Sequence, residues 1–249
     1  MNSQALNLTW AAGAMRKFEE EMQLASHTDA SVLLTGENGV GKRVAAHIIH
    51  QLSERRRAPF LAINAAEVLT TASNSTSGAA DPFASDLLRA AEGGTLLIQD
   101  IEHIPAEVQL QLLGFMDRRT TATKHVRLMA TTTTDLYGLV QAGSFRDDLF
   151  YRLNVITFNI PPLRERREDI PVMFRLYLSL HAGTVAPGLS TAAQRRLMEY
   201  PWPGNITELT SVTRALSSRS LPELIDLEHL PCPLVECRSR DKEPQGTAC

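Results

Sequence analysis

The run Gly36-Glu37-Asn38-Gly39-Val40-Gly41-Lys42-Arg43 constrains this chain more than any other stretch. It has the complete G-x-x-x-x-G-K spacing, follows the apolar run SVLLT and opens a helical pattern. Glycines let a backbone curl until its N–H groups converge on phosphate oxygens. The following helix N-terminus adds partial positive charge, and Lys42 adds a full one for β- and γ-phosphates. An ordinary glycine-rich turn between strand and helix is the plainer reading, but the spacing and context favour a phosphate loop. The last position departs from the general motif. Serine or threonine there places a hydroxyl on Mg²⁺, whereas the Arg43 guanidinium is donor-only and always charged. Arg43 either contacts phosphate or points to solvent.

A phosphate loop needs a strand before it and a helix after it, and the chain repeats that alternation. Ser31–Thr35, Phe60–Asn64, Thr95–Gln99, Arg127–Thr131 and Val155–Ile160 read as strands. Their near-continuous apolar runs suit a parallel sheet covered on both faces. Gly41–Leu52, Phe83–Ala91, Ala106–Asp117 and Phe145–Leu153 read as helices between them. The result is a doubly wound α/β core. After Pro161-Pro162 the pattern turns helical, over Ile170–Leu180, Thr191–Tyr200 and Ile206–Ser217, with no convincing strand. Ser190 is the expected N-cap of the second of these helices and Asn205 of the third. Thr70–Ala80 (TTASNSTSGAA) reads as a flexible surface loop.

Composition narrows the class. Apolar residues make up 43% and charged residues 21%, with a net charge of −3, which is ordinary globular material with no overall basic signature. The cysteines Cys232, Cys237 and Cys249 all lie near the C-terminus, which excludes a disulfide scaffold and a CxxC zinc module and assigns them no site. No apolar run approaches the roughly 18 residues of a membrane span, and no signal-peptide pattern opens the chain. The expected compartment is the cytoplasm.

In order along the chain stand DASVLLTGENGVGKRVAAHIIHQLSERRRAPFLAINAAE (29–67), AEGGTLLIQDIEHIPAEVQLQLL (91–113), VRLMATTTTDL (126–136), GSFRDDLFYRLNVITFNIPPLRERREDIP (143–171) and YPWPGNITEL (200–209). Together they resemble the central AAA+ domain of bacterial sigma-54-dependent transcriptional activators, over residues from about 7 to 230. The resemblance implies an AAA+ nucleotide-binding α/β domain over 7–168, a small helical lid over 169–230 and a disordered tail over 231–249. It implies ATP or ADP held by Gly36–Arg43 in a ring of like or related AAA+ subunits, whose ATP turnover remodels sigma-54 RNA polymerase.

Several family positions are changed here. The family's third strand ends in Asp-Glu, for Mg²⁺ and for the attacking water. This chain has Gln99 and Asp100, so charged support for Mg²⁺ falls and the second carboxylate is one methylene shorter. Displacing an activating carboxylate by about 1 Å can cost on the order of 10²-fold; the plainer reading of Asp100 is a strand-end residue with local hydrogen bonds. Thr133 stands where the family has the asparagine of its fourth strand, and its hydroxyl has shorter reach. Thr207 replaces the lid arginine that reaches the γ-phosphate. Arg146 and Arg152 match the arginine fingers that act on a neighbour's nucleotide; the plainer reading pairs them with Asp147 and Asp148 on a helix surface. A Gly-Ala-Phe-Thr-Gly-Ala loop that contacts sigma-54 has no counterpart between Asn64 and Gly93, which argues against that contact, and the Arg118–His125 loop is shorter than usual. Neither a sensory domain before residue 7 nor a helix-turn-helix after residue 230 is expected, so no DNA-binding domain and no membrane contact.

The weaker signals read as packing or solvated surface. His47 and His50, at i and i+3, pack rather than bind metal; Trp202 is lid core; Arg55–Arg57 is a solvated loop; Arg164, Arg166 and Arg167 are structural or solvated. The chain is therefore expected to bind ATP or ADP, to hydrolyse poorly and to act as a regulatory or partner subunit in transcription. The alternative is an active ATPase that remodels sigma-54 holoenzyme.

Overall fold

The structure is a computed structural model, and it describes residues 16–65, 90–121, 125–219, 222–231 and 234. Most of the expected helix Phe83–Ala91, the Thr70–Ala80 loop, most of the stretch between Asn64 and Gly93 and most of the tail fall outside those residues. The chain forms two compact units, one spanning Met15–Pro161 and the other running from Pro162.

The first unit is built on five parallel strands: β1 (Val32–Thr35), β2 (Phe60–Asn64), β3 (Thr95–Gln99), β4 (Arg127–Thr132) and β5 (Ile156–Asn159). Their order in the sheet is β2-β3-β4-β1-β5. Parallel neighbours require crossovers; among the described residues these are α2 (Lys42–Leu52) between β1 and β2, α3 (Ala106–Thr121) between β3 and β4, and α4 (Leu136–Gln141) and α5 (Asp147–Leu153) between β4 and β5, with α1 (Arg16–Ser26) ahead of β1. Strand residues alternate between the two faces of the sheet. Leu33, Leu96, Ile98, Leu128 and Ala130 share one cluster with Leu112 and Phe115 of α3 and with Leu149 and Leu153 of α5. Val32, Leu34, Leu97 and Met129 are equally buried, as are Met22, Ala45 and Ile49 of α1 and α2. Burial on both faces explains why the inner strands β1, β3 and β4 carry no polar alternation, whereas the edge strand β5 (ITFN) does alternate. Each fully buried Leu, Ile or Phe contributes about 1.5–3 kcal/mol relative to exposure.

Two polar side chains bind the sheet's amino-terminal end. Arg127, at the start of β4, is 1% exposed. Its Nη2 donates to Ala25 O at 2.7 Å, and burial, partly offset by Asp29, draws its guanidinium down to about 10. Arg55 is no solvated residue. It grips both Asp29 oxygens at 2.9 Å and donates to the carbonyls of Gly93, Gly94 and His125. The loop of three arginines therefore carries a fastening between three segments. His50 is buried against the Thr95 hydroxyl at 2.9 Å, and His47 meets the Phe60 ring edge-on while His50 meets it at a tilt, so the histidine pair packs as expected.

The second unit holds α6 (Asp169–Ala182), α7 (Thr191–Glu199) and α8 (Asn205–Ser217). Trp202 is fully buried, donates its indole N–H to Leu197 O at 2.8 Å and meets Tyr200 edge-on. Arg166 is 2% exposed and faces Asp169, which makes it structural. Ser190 caps α7 by accepting from Ala193 N. Two expectations fail here. Asn205 is not a cap: it sits in the left-handed region at φ 50°, inside the first turn, and its Oδ1 accepts from Leu163 N at 2.8 Å. The unit also contains strands, β6 (Gly188–Leu189) and β7 (Leu224–Ile225), paired in parallel. Two residues are too few to leave a periodic signal.

Candidate functional site

In an open parallel sheet the carboxyl ends of neighbouring strands form the natural binding edge. Here β1, β3 and β4 deliver the phosphate loop, Gln99-Asp100 and Thr131–Thr133 to that edge. The pairing Leu34↔Thr131 and Ile98↔Ala130 sets them side by side.

The loop has the backbone a phosphate cradle needs. Gly36, Gly39 and Gly41 lie at φ 140°, 78° and 103°, a region that side chains strongly disfavour. At Gly36 a Cβ would stand 2.7 Å from Ile160 O, so only glycine fits between the loop and β5. Gly41 precedes α2 with no side-chain cap, so the helix opens on bare N–H groups. Lys42 is buried, and its ammonium donates to Gly36 O at 2.7 Å and to Glu37 O at 3.0 Å. Burial pushes Lys42 below its ordinary value, and Asp100 and Glu102 act in the opposite direction. Val40 is buried beneath the loop, while Arg43 is exposed.

The edge opposite the loop differs from its sequence reading. Gln99 is the last residue of β3 and half-buried. Asp100 does not continue the strand. It takes a left-handed conformation at φ 55° and starts a single tight turn over Ile101–His103. Its carboxylate accepts from the Asn64 side-chain amide at 2.8 Å, and its N–H donates to the Thr131 hydroxyl at 3.2 Å. The turn brings back Glu102, whose Oε1 accepts from both Thr133 N at 2.8 Å and Thr133 Oγ1 at 2.7 Å. Burial works to raise the Glu102 carboxyl, but the Thr133 bonds, together with its own backbone N–H and the Thr132 hydroxyl, outweigh it and hold it below the ordinary range.

Asn64 and Glu102 are the residues that sequence reasoning missed. Asn64 ends β2 one strand over from Gln99, a signal available once the strand order is known. Glu102 carries no such signal, because only the left-handed turn at Asp100 folds it over β4.

Arg146 precedes the short helix α5 and Arg152 lies in its last turn, and both are exposed. The Arg146 guanidinium pairs with Asp148 at 2.8 Å, and its N–H donates to the buried Gln109 at 2.8 Å, which ties the loop before α5 to α3. Arg152 pairs with Asp117 of α3 rather than with either aspartate of its own helix. The pairing expected with Asp147 and Asp148 thus holds for Arg146 alone. Thr207 lies exposed on α8 in the second unit.

A phosphate loop after β1, which lies between β4 and β5 in a 2-3-4-1-5 parallel sheet, in a chain that continues into a helical unit, defines a P-loop protein of AAA+ type. The chain belongs to the sigma-54 interaction domain family, whose model matches residues 8–159. An AAA+ ATPase lid domain model matches residues 164–247. The DNA-binding transcriptional regulator NtrC of Azospirillum brasilense is 33% identical, covering 97% of this chain and 54% of the relative. The alginate biosynthesis regulator AlgB of Pseudomonas aeruginosa is 36% identical over 87% of this chain and 53% of its own length. The chain spans about half the length of these curated relatives. NtrX of Brucella abortus, crystallised in complex with ATP, superposes with a TM-score of 0.74 at 27% identity, over 90% of this chain and 56% of that one. Its complex with ADP gives 0.76 at 27%, over 93% and 57%. Among the described residues, no helix is long and apolar enough to cross a membrane.

Proposed function

We propose that this chain binds ATP or ADP through Gly36–Arg43, hydrolyses it poorly or not at all, and serves as a regulatory or partner subunit beside AAA+ subunits in sigma-54-type transcription control. The work is cytoplasmic and falls to an AAA+ domain over 7–168 and a lid over 169–230. The observation that carries this reading is an asymmetry within one edge of the sheet. The loop keeps every feature a phosphate needs, down to the glycine-only contact at Ile160. The residues that would drive hydrolysis in cis are altered or already engaged. Gln99 is neutral, Asp100 is turned out of the strand and bonded to Asn64, and Thr133 is held by Glu102.

The loop geometry fits a nucleotide, which when bound supplies the anhydride and its phosphates to the cradle. Mg²⁺ fits less well. Arg43 offers only donors and Gln99 a neutral amide oxygen, and among the described residues no group of three His, Cys, Asp or Glu could hold a metal. The cation therefore depends on phosphate and water for its ligands.

Arg146 and Arg152 act in trans. Both are exposed and oriented by carboxylates of their own chain, Asp148 and Asp117, so they can exchange those partners for a neighbour's phosphate. An arginine finger is worth about 10³–10⁵ in rate where it reaches a competent site. Contact with sigma-54 itself is not part of the proposal, because the contact loop has no counterpart in the sequence.

A working ATPase is the second reading. It is favoured by one observation, the Asp100 carboxylate still present at the edge of β3. Phosphate release by the purified chain separates the two. The regulatory reading expects none above the Lys42→Ala background, and a rise when the chain is mixed with a catalytically competent family member. Arg152→Ala is expected to remove that rise. Turnover by the chain alone would establish the ATPase instead.

A further inference from the structure

The nucleotide-binding reading leaves one charged group without a role. Glu102 reaches back over the carboxyl end of β4 because Asp100 is left-handed and Ile101–His103 forms a tight turn. Its Oε1 takes both hydrogens that Thr133 can offer, the backbone N–H and the hydroxyl proton. Its Oε2 is buried with no hydrogen-bond partner among the described residues.

Two consequences follow for anything bound in the loop. A hydroxyl has one proton to donate, so Thr133 Oγ1, engaged with Glu102, can only accept. Phosphate oxygens are acceptors too. The position that should greet the terminal phosphate thus presents lone pairs instead of a donor. Second, Glu102 adds a fixed negative charge at the strand edge next to β1, beside that of Asp100. Lys42 registers both carboxylates, while its own hydrogen bonds go to the loop carbonyls of Gly36 and Glu37. A γ-phosphate brings up to two further negative charges toward the same edge, whereas a diphosphate stops short of it.

We propose that Glu102 determines which nucleotide this chain holds: by occupying the donors of Thr133 and placing an anion at the strand edge beside Lys42, it makes the site prefer a nucleoside diphosphate over a triphosphate. The inference rests on the reading that Gly36–Arg43 binds nucleotide, and it narrows that reading to the diphosphate form. A resident diphosphate suits a subunit that lends its arginines to a neighbour without cycling through hydrolysis itself.

The test measures equilibrium binding of ADP and of the non-hydrolysable triphosphate AMPPNP, each with Mg²⁺, to the intact chain. Wild type is expected to bind ADP about tenfold or more tightly than AMPPNP, in keeping with like-charge repulsion at a protein surface. Glu102→Gln keeps the acceptor and the size but removes the charge. It should shrink the preference to about threefold or less, through tighter AMPPNP binding. His103→Ala, on the same turn and exposed, controls for loosening of the turn and should keep the wild-type ratio. Wild type that binds AMPPNP as tightly as ADP overturns the proposal without recourse to any variant. So does an unchanged ratio in Glu102→Gln, or a ratio that collapses equally in His103→Ala. Wild type that binds neither nucleotide removes the functional reading as well, so the two failures are distinct.

Discussion

Two stretches lie side by side at the same edge of the sheet, and they have kept different things. The phosphate loop, 36–43, retains its glycines, its lysine and a backbone that only glycine can follow. The strand ends opposite, 99–102 and 131–133, have exchanged charge and reach for an internal network in which Asn64 holds Asp100 and Glu102 holds Thr133. Binding a phosphate needs a fixed cradle of N–H groups and one cation. Hydrolysing one needs a carboxylate and a donor poised on the reacting atoms to well under about 1 Å. The first requirement survives changes that abolish the second.

Rebuilding the strand ends is expected to have the largest effect. Gln99→Asp, Asp100→Glu and Thr133→Asn combined are expected to raise phosphate release by about 100-fold or more, since a single preorganised group is worth about 10²–10³. No gain would place the defect elsewhere. The reverse operation on the loop comes next. Lys42→Ala should weaken nucleotide binding about 100-fold, the loss of charge-assisted hydrogen bonds of about 1.5–3 kcal/mol, and erase the rise in melting temperature that nucleotide gives. Titration calorimetry reads it directly.

Backbone geometry provides the third comparison. Gly36→Ala puts a Cβ 2.7 Å from Ile160 O at φ 140°, and is expected to cost about 2–3 kcal/mol in urea unfolding and to abolish the nucleotide response. An alanine at Gly143, also at positive φ but with nothing within 4 Å, should cost distinctly less.

The smallest effect is a pH dependence. The folded-state carboxyl of Glu102 lies below its ordinary value of 4.5, so its contribution is fully present above that value. It is lost as pH falls through the lowered one. Acid unfolding of Glu102→Gln should therefore be shallower than that of wild type below about pH 5. Identical curves would mean that the Thr133 bonds do not hold the charge.

The fold was legible where a short apolar run is closed by a polar residue. FLAIN and TLLIQ are such runs, and the structure gives them the expected limits, Phe60–Asn64 and Thr95–Gln99, although TLLIQ is buried and FLAIN, at the sheet edge, is mostly half-buried. The other strand limits moved by one residue, at one end for β1 and β4 and at both ends for β5, where fraying decides. The helix expected over Phe145–Leu153 begins only at Asp147, because the Arg146 N–H is taken by Gln109 from across the fold. Asn205 has the composition of a cap, yet a tertiary bond to Leu163 claims its side chain. In the site, the loop could be read from spacing alone, because its chemistry resides in consecutive residues. The Glu102–Thr133 and Asn64–Asp100 pairs could not. Each joins residues more than 30 positions apart, and one depends on a left-handed aspartate that no residue pattern announces.

The most direct test of the central claim is nucleotide binding and steady phosphate release measured together on the intact chain and on Lys42→Ala. The wild-type chain is expected to bind nucleotide and Lys42→Ala to lose that binding, with phosphate release at background in both proteins. Release by the wild-type chain that disappears in Lys42→Ala would contradict it, and would mean that Asp100 suffices for catalysis.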